Sequence, residues 1–198
     1  LGDLEKYMHS VLTYPLLIEC GLMHFQFETI HPFLDGNGRI GRLLITFFLC
    51  YKEILKKPLL YLSHYFKENQ LEYYKLLMAA REEGDFESWI KFFLKGIISV
   101  ADEAIKSSHR IINLQRKDID KINKANGKSF KIALLHEKLF DQPIVSIKDI
   151  VKLMNVTFPT ASDMCRKLIV LNILKEITGK ARSRMFAYKN YLDILKEE

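Results

Sequence analysis

The sequence predicts a mainly α-helical chain in two parts: a helical core, then a small domain of three helices plus a β-hairpin. Three observations lead there. Apolar residues recur at helical spacing through Leu16 to Ile30 and again from Phe86 to about Asn123. Capping and turn residues then divide the second half into short segments, some of them β-prone. Charge shifts at the same place. Residues 1–127 hold 17 Lys and Arg against 16 Asp and Glu, and residues 128–198 hold 13 against 8, so the second stretch carries most of the net +6. The expected boundaries are a first domain over 1–115, a helical linker over 116–127 and a second domain over 128–198.

Taken in order, Leu16 to Ile30 has the spacing of a helix. Leu43 to Tyr51 is apolar but short, which predicts a core helix; no run reaches the ~18 apolar residues of a transmembrane span. Leu71, Tyr74, Leu77 and Met78 share one helical face. In the long helix from Phe86, polar residues thicken after Ser107, and 116–124 is expected to be a solvated face. Phe130 to Phe140 follows as an amphipathic helix, and Pro143-Ile144-Val145 is β-prone. Ser146 is placed to cap a helix over Ile147 to Met154. Asn155-Val156-Thr157 makes a turn, and Thr157 is placed to cap a second helix with Pro159 in its first turn, where proline is tolerated. Ala161, Cys165, Leu168 and Ile169 give that helix a buried stripe. Ile173 to Ile177 and Arg184 to Tyr188 have the composition of two strands, joined by the polar, basic tip Thr178 to Ser183. This order is that of a winged helix-turn-helix domain.

The chemistry concentrates in twelve residues, His31-Pro32-Phe33-Leu34-Asp35-Gly36-Asn37-Gly38-Arg39-Ile40-Gly41-Arg42. They supply a base, a carboxylate, three glycines, an amide and two arginines at the start of an apolar helix. Backbone N–H groups and the helix dipole favour anions at such a place. Gly36-Asn37-Gly38-Arg39-Ile40-Gly41 satisfies the dinucleotide pattern G-x-G-x-x-G, but a helix rather than a strand precedes it and no βαβ unit follows. Asp35-Gly36-Asn37-Gly38 has the look of a calcium-loop core, yet that register puts Phe33 and Leu44 at the first and last ligand positions. Both readings fail on particular residues.

The run resembles the signature of the Fic/Doc family, H-P-F-x-(D/E)-G-N-G-R-x-x-R, at every position. The likeness continues through Pro58 to Ser63, Asn69 to Tyr74 and Gly84 to Ile90. It implies a Fic-type protein adenylyltransferase that moves AMP from ATP, with Mg²⁺, to a Ser, Thr or Tyr hydroxyl of a target protein. His31 is then the base, and Asp35 the magnesium ligand, although Asp35 could instead cap the helix. Gly36, Asn37 and Gly38 cradle the α- and β-phosphates, while Arg39 and Arg42 bind the outer ones. The family's kinase-like branch has Lys where this chain has Gly38, which favours nucleotidyl over phosphoryl transfer. Phe33 is expected in the core, pinning the loop. Tyr73 and Tyr74 match a pair that lines the nucleoside pocket in relatives; core packing is an equal alternative. Relatives with this site also remove AMP or transfer other phosphate-containing groups. In relatives a target-docking flap and often an inhibitory helix lie upstream of the motif. Neither is visible, so the chain is expected to be a piece of a longer protein.

The winged-helix reading adds a binding-module alternative, a DNA-binding regulator with a nucleotide-sensing first half. Arg166 and Lys167 on the second helix would face the major groove, and Lys180, Arg182 and Arg184 at the wing would meet phosphate or minor groove. The same fold also serves protein docking, and a homodimer is a further option. The other histidines, His9, His24, His64, His109 and His136, lack anion-binding neighbours and are expected to be structural. Cys20, Cys50 and Cys165 are widely spaced in apolar helices, as reduced thiols of a cytoplasmic protein would be, and no membrane partner is expected.

Overall fold

The computed structural model describes residues 1–11, 13–56, 61–126, 129–180 and 183–196. The chain is mainly α-helical and divides into two compact units, Leu1–Glu103 and Ala104–Glu198. The division falls inside one long helix, ahead of the expected end of the first domain at residue 115.

Unit 1 contains α1 (Gly2–His9), α2 (Leu16–Ile30), α3 (Asn37–Tyr51), α4 (Leu62–Glu68), α5 (Gln70–Glu82) and the start of α6 (Phe86–Asn126). α2 buries Cys20, Met23, His24, Phe25 and Phe27, so it is covered on more than one face, as its apolar composition requires. Ile45, Phe48 and Leu49 of α3 and Phe66 of α4 join Trp89 and Phe93 of α6 in the core. The Trp89 indole N–H donates to the carbonyl of Gly21 at 3.0 Å, so even the core's largest residue has its polar group satisfied. Glu19 is also buried. Its carboxylate accepts the backbone N–H groups of Thr13 and Tyr14, both at 2.8 Å, and the hydroxyl of Tyr7, which ties α1 to α2.

Unit 2 holds the rest of α6, then α7 (Phe130–Asp141), β1 (Ile144–Ser146), α8 (Ile147–Met154), α9 (Phe158–Val170), β2 (Lys175–Glu176), β3 (Met185–Ala187) and α10 (Lys189–Lys196). The strands form an antiparallel sheet in the order β1-β3-β2, with Val145 opposite Phe186 and Glu176 opposite Phe186 on the other side. Ser146 and Asp149 make a full capping box at α8. Thr157 occupies the N-cap position of α9, but its hydroxyl faces that of Thr160 at 3.0 Å instead of capping an N–H. Ile169, expected in the buried stripe of α9, is partly exposed; Met164 takes a buried place beside Ala161, Cys165 and Leu168. Helix α10 is an addition to the predicted elements.

The segment expected to be a solvated linker packs against unit 2. Asp118 and Ile122 of α6 are fully buried. Asp118 accepts the Tyr188 hydroxyl at 2.8 Å and the Lys121 ammonium at 2.6 Å, and Ile122 joins the unit 2 core. A window of mostly charged residues hid one apolar and one acidic position that face inward together.

Candidate functional site

The motif occupies the end of α2, a short loop and the first turn of α3. Helix α2 stops at His31, which takes a left-handed conformation with φ 47° and donates its N–H to the carbonyl of Phe27 at 3.0 Å. A non-glycine residue there is strained, and such strain gathers at working sites. The His31 side chain is exposed. Gly36 starts α3 with φ 84°, which is natural only to glycine.

Asn37 holds the loop. Its side-chain oxygen accepts the Phe33 N–H at 2.9 Å and its amide donates to the Phe33 carbonyl at 2.6 Å. The oxygen and one of the two N–H donors of this buried amide are therefore spent on the loop. The expectation for Phe33 is corrected: the residue is 44% exposed, with its ring centroid 6.5 Å from that of Phe27. The pin is the amide of Asn37, because a bidentate backbone contact fixes a loop that a half-exposed ring cannot.

Asp35 is exposed. One oxygen accepts the Gly36 N–H at 2.6 Å and the other faces Arg39 at 3.4 Å, a long and weakly held pair. Gly36, not Asp35, stands at the N-cap, and no side chain caps α3. The first N–H groups of the helix thus keep their capacity for an anion. Among the described residues no group of three or more metal-type ligands occurs. Mg²⁺ requires none, since it binds through one or two carboxylates plus substrate phosphates and water. A lone accessible carboxylate such as Asp35 fits that role.

The two arginines reach back toward the helix start. A methyl group placed on Gly38 would stand 3.0 Å from Arg42 Nη1, and one on Gly36 would stand 3.7 Å from Arg39 Nη2. A cavity of about 850 Å³ opens beside them. Arg39, Arg42, Leu43 and Thr46 line it from α3, Ser63, His64, Phe66 and Lys67 from α4, and Gln70, Tyr73 and Tyr74 from α5. Among these described residues none is a carboxylate, so the wall is cationic and aromatic. His31 and Asp35 are not part of this lining.

Tyr73 and Tyr74 differ. Tyr73 is buried, with its hydroxyl 3.0 Å from His24 Nε2, whereas Tyr74 is largely exposed at the cavity wall. Tyr73 thus packs in the core and borders the cavity at once. Burial lowers the pKa of His24 from 6.5 to about 4, which keeps the imidazole neutral. Burial raises the Tyr73 pKa, so its phenol stays protonated.

Several participants had no signal in the linear pattern. His64, expected to be structural, lines the cavity and pairs with Glu68 at 3.1 Å. Lys67 and Gln70 lie on the same wall, and Glu28 lies beside Gly41. A methyl on Gly41 would fall 2.5 Å from Glu28 Oε1 and 3.0 Å from Phe27 Cδ1, so this glycine lets α3 lie against α2.

In unit 2, Arg166 and Lys167 are both paired with Asp163, at 2.6 and 2.8 Å. Lys180 and Arg184 are exposed, and Arg182 lies outside the described residues.

Comparison with known proteins agrees with the motif. The Fic/DOC family model matches residues 1–49. A Fido domain-containing protein of Dictyostelium discoideum is 40% identical over 52 residues, covering 25% of this chain and 36% of that protein. The crystal structure of a Fic family protein from Desulfovibrio desulfuricans G20 superposes with a TM-score of 0.51 at 20% identity, over 93% of this chain and 52% of that one. At that identity the likeness concerns the fold. The chain spans about half the length of the structural relative and 36% of the curated one. Among the described residues no helix is long and apolar enough to cross a membrane.

Proposed function

Residues 1–49 make this chain a member of the Fic/DOC family, and we propose that it is a protein adenylyltransferase, moving AMP from ATP to a Ser, Thr or Tyr hydroxyl of a target protein. The observation that carries the reading is the 850 Å³ cavity beside the motif, lined by two arginines and by aromatic rings, with no carboxylate among its described lining. That composition suits a polyanion with a flat, stackable end.

In this reading His31 accepts the proton of the target hydroxyl, and the hydroxyl oxygen attacks the α-phosphorus of ATP. The bond from that phosphorus to the bridging oxygen breaks, and pyrophosphate leaves. The first N–H groups of α3, at Asn37 and Gly38, receive the developing charge on the phosphate oxygens. Arg39 and Arg42 hold the β- and γ-phosphates through planar donors. Asp35 would hold Mg²⁺, which would supply charge neutralisation on the leaving group. Tyr74 offers a face to the nucleoside, with Tyr73 behind it.

Incubation with labelled ATP, Mg²⁺ and cell lysate tests this. A positioned proton acceptor contributes about 10²–10⁴-fold, so His31→Ala should label at a small fraction of the wild-type rate while binding ATP normally. Equal labelling by the variant would remove the mechanism.

A second reading concerns unit 2. The order α7-β1-α8-α9-β2-β3, with β1 paired to β3, supports a winged helix-turn-helix. DNA contact would run through α9 and the basic tip, where Lys180 and Arg184 are exposed. Asp163 partly neutralises Arg166 and Lys167, which places the weight on the tip. Salt-dependent binding to duplex DNA, weakened by Arg184→Ala, is the expected result; salt-insensitive binding would exclude it.

A further inference from the structure

Helix α3 is apolar on both sides. Ile45, Phe48 and Leu49 are buried in the unit 1 core. Away from the core, every exposed residue of α3 from Ile40 onward is apolar too: Ile40, Leu43, Phe47 and Tyr51, each 39–57% exposed. At about 100° per residue these four fall on one stripe, and at about 1.5 Å per residue the stripe is roughly 16 Å long. Ile54, also exposed, follows just past the helix end, where Glu53 takes φ 61° and turns the chain. Single exposed apolar residues are ordinary, but a helix that is apolar all round belongs in an interior. A continuous row of this kind marks a surface that something covers.

The row reads the same from both ends. Ile40, Leu43, Phe47, Tyr51 and Ile54 are spaced 3, 4, 4 and 3 residues apart, symmetrically about Phe47. Two copies of α3 laid antiparallel across a two-fold axis at Phe47 therefore match Phe47 with Phe47, Leu43 with Tyr51 and Ile40 with Ile54. Such self-complementarity is what an isologous interface requires. Charge does not interrupt the row: Arg39 and Arg42 line the cavity, and Lys52 Nζ lies 5.5 and 5.2 Å from the Phe48 and Tyr51 ring centres. The Tyr51 hydroxyl is already 3.0 Å from His9 Nδ1, which leaves its ring to be covered. A whole aromatic side chain buries roughly 150–250 Å², so five large residues about half exposed offer on the order of 500 Å² per copy, or about 1,000 Å² for the pair, the size at which a specific interface begins.

We propose that the outer face of α3 is a homodimer interface: two copies of this chain pair antiparallel through Ile40, Leu43, Phe47, Tyr51 and Ile54, and Phe47 meets its own counterpart on the two-fold axis. The pairing does not depend on what the cavity binds. Antiparallel helices send their N-termini to opposite ends, about 30 Å apart, so each copy keeps a separate motif. Leu43 also borders the cavity, which brings the interface up to the edge of the candidate site.

Sedimentation equilibrium of the full chain tests this. The wild type should show twice the chain mass and dissociate on dilution. Phe47→Glu sets two carboxylates against each other at the axis and should weaken the dimer by about a hundredfold or more. Glutamate suits an exposed helix position, and fluorescence of the buried Trp89 reports that the variant is folded. If it does not fold, Phe47→Gln takes its place and should weaken the dimer in the same direction. Phe47→Cys reads the symmetry, because a residue on the axis faces itself. Mild oxidation should link two copies through position 47, whereas Met78→Cys, exposed on α5, should link no more than wild type. A wild type of single-chain mass at every concentration overturns the proposal and leaves the row to a different protein. A dimer untouched by folded Phe47→Glu also overturns it, as does a Phe47→Cys variant that links no better than Met78→Cys.

Discussion

Two buried histidine–tyrosine pairs occupy the two units and are put to different uses. His24 Nε2 lies 3.0 Å from the Tyr73 hydroxyl in unit 1, and His136 Nε2 lies 3.0 Å from the Tyr188 hydroxyl in unit 2. The second pair is completed. Tyr188 donates to Asp118, Lys121 donates to the other carboxylate oxygen, and the network's polarity assigns the proton on His136 Nε2 as donor to Tyr188. The first pair is left open. Around it Glu28 Oε1 and Arg42 Nε have no partners, and Tyr73 borders the cavity. A closed polar network braces a core, whereas an open one at a cavity wall keeps polar capacity for something that binds.

That contrast can be broken at either end. The largest stability effect should come from the closed network. Asp118→Ala removes the centre of three contacts and should cost about 3–5 kcal/mol, read by urea unfolding. A loss under about 1 kcal/mol would mean that the network braces nothing. The open pair should respond to acid. The folded-state pKa of His24 is about 4 against 6.5 unfolded, so the folded protein binds fewer protons between those values. Stability from this group is fully present above pH 6.5 and is lost as pH falls toward 4, at most about 3 kcal/mol. Unfolding measured across that window in wild type and His24→Asn should differ in slope, the variant being flatter.

Smaller effects sharpen the same comparison. Gly41→Ala should cost about 1–3 kcal/mol through overpacking against Glu28 and Phe27. It should also weaken ATP binding, a coupling that Asp118→Ala should lack, and calorimetry beside thermal melts separates the two. The smallest change is Ser146→Ala, which removes the cap of α8 for about 1 kcal/mol with no effect on nucleotide. A shift in ATP affinity from that variant would contradict the assignment of the site to unit 1.

The sequence was most legible where the information is local. The spacing from Leu16 to Ile30 became α2, and Ser146 became a cap because the Asp149 that completes it is three residues away. The motif's glycines lie at the start of α3 as their chemistry suggested. Phe33 misled because an aromatic residue in a short loop reads as core, while the contact that fixes the loop is an amide four residues later. The buried Asp118 was hidden for a related reason: its partners Tyr188 and His136 are far along the chain.

By itself the sequence determined the residue types of the site and their order, from His31 to Arg42, because that motif is contiguous and its chemistry belongs to single side chains and one helix end. It also determined the helical character of the chain, which follows from short-range periodicity. Only the tertiary structure decided which groups surround that motif. α4 and α5 bring His64, Lys67 and Tyr74 to the cavity that the arginines line, and α2 brings Glu28 against Gly41. Whether a carboxylate is left unpaired depends on packing between elements distant in the chain, and no local pattern carries that information.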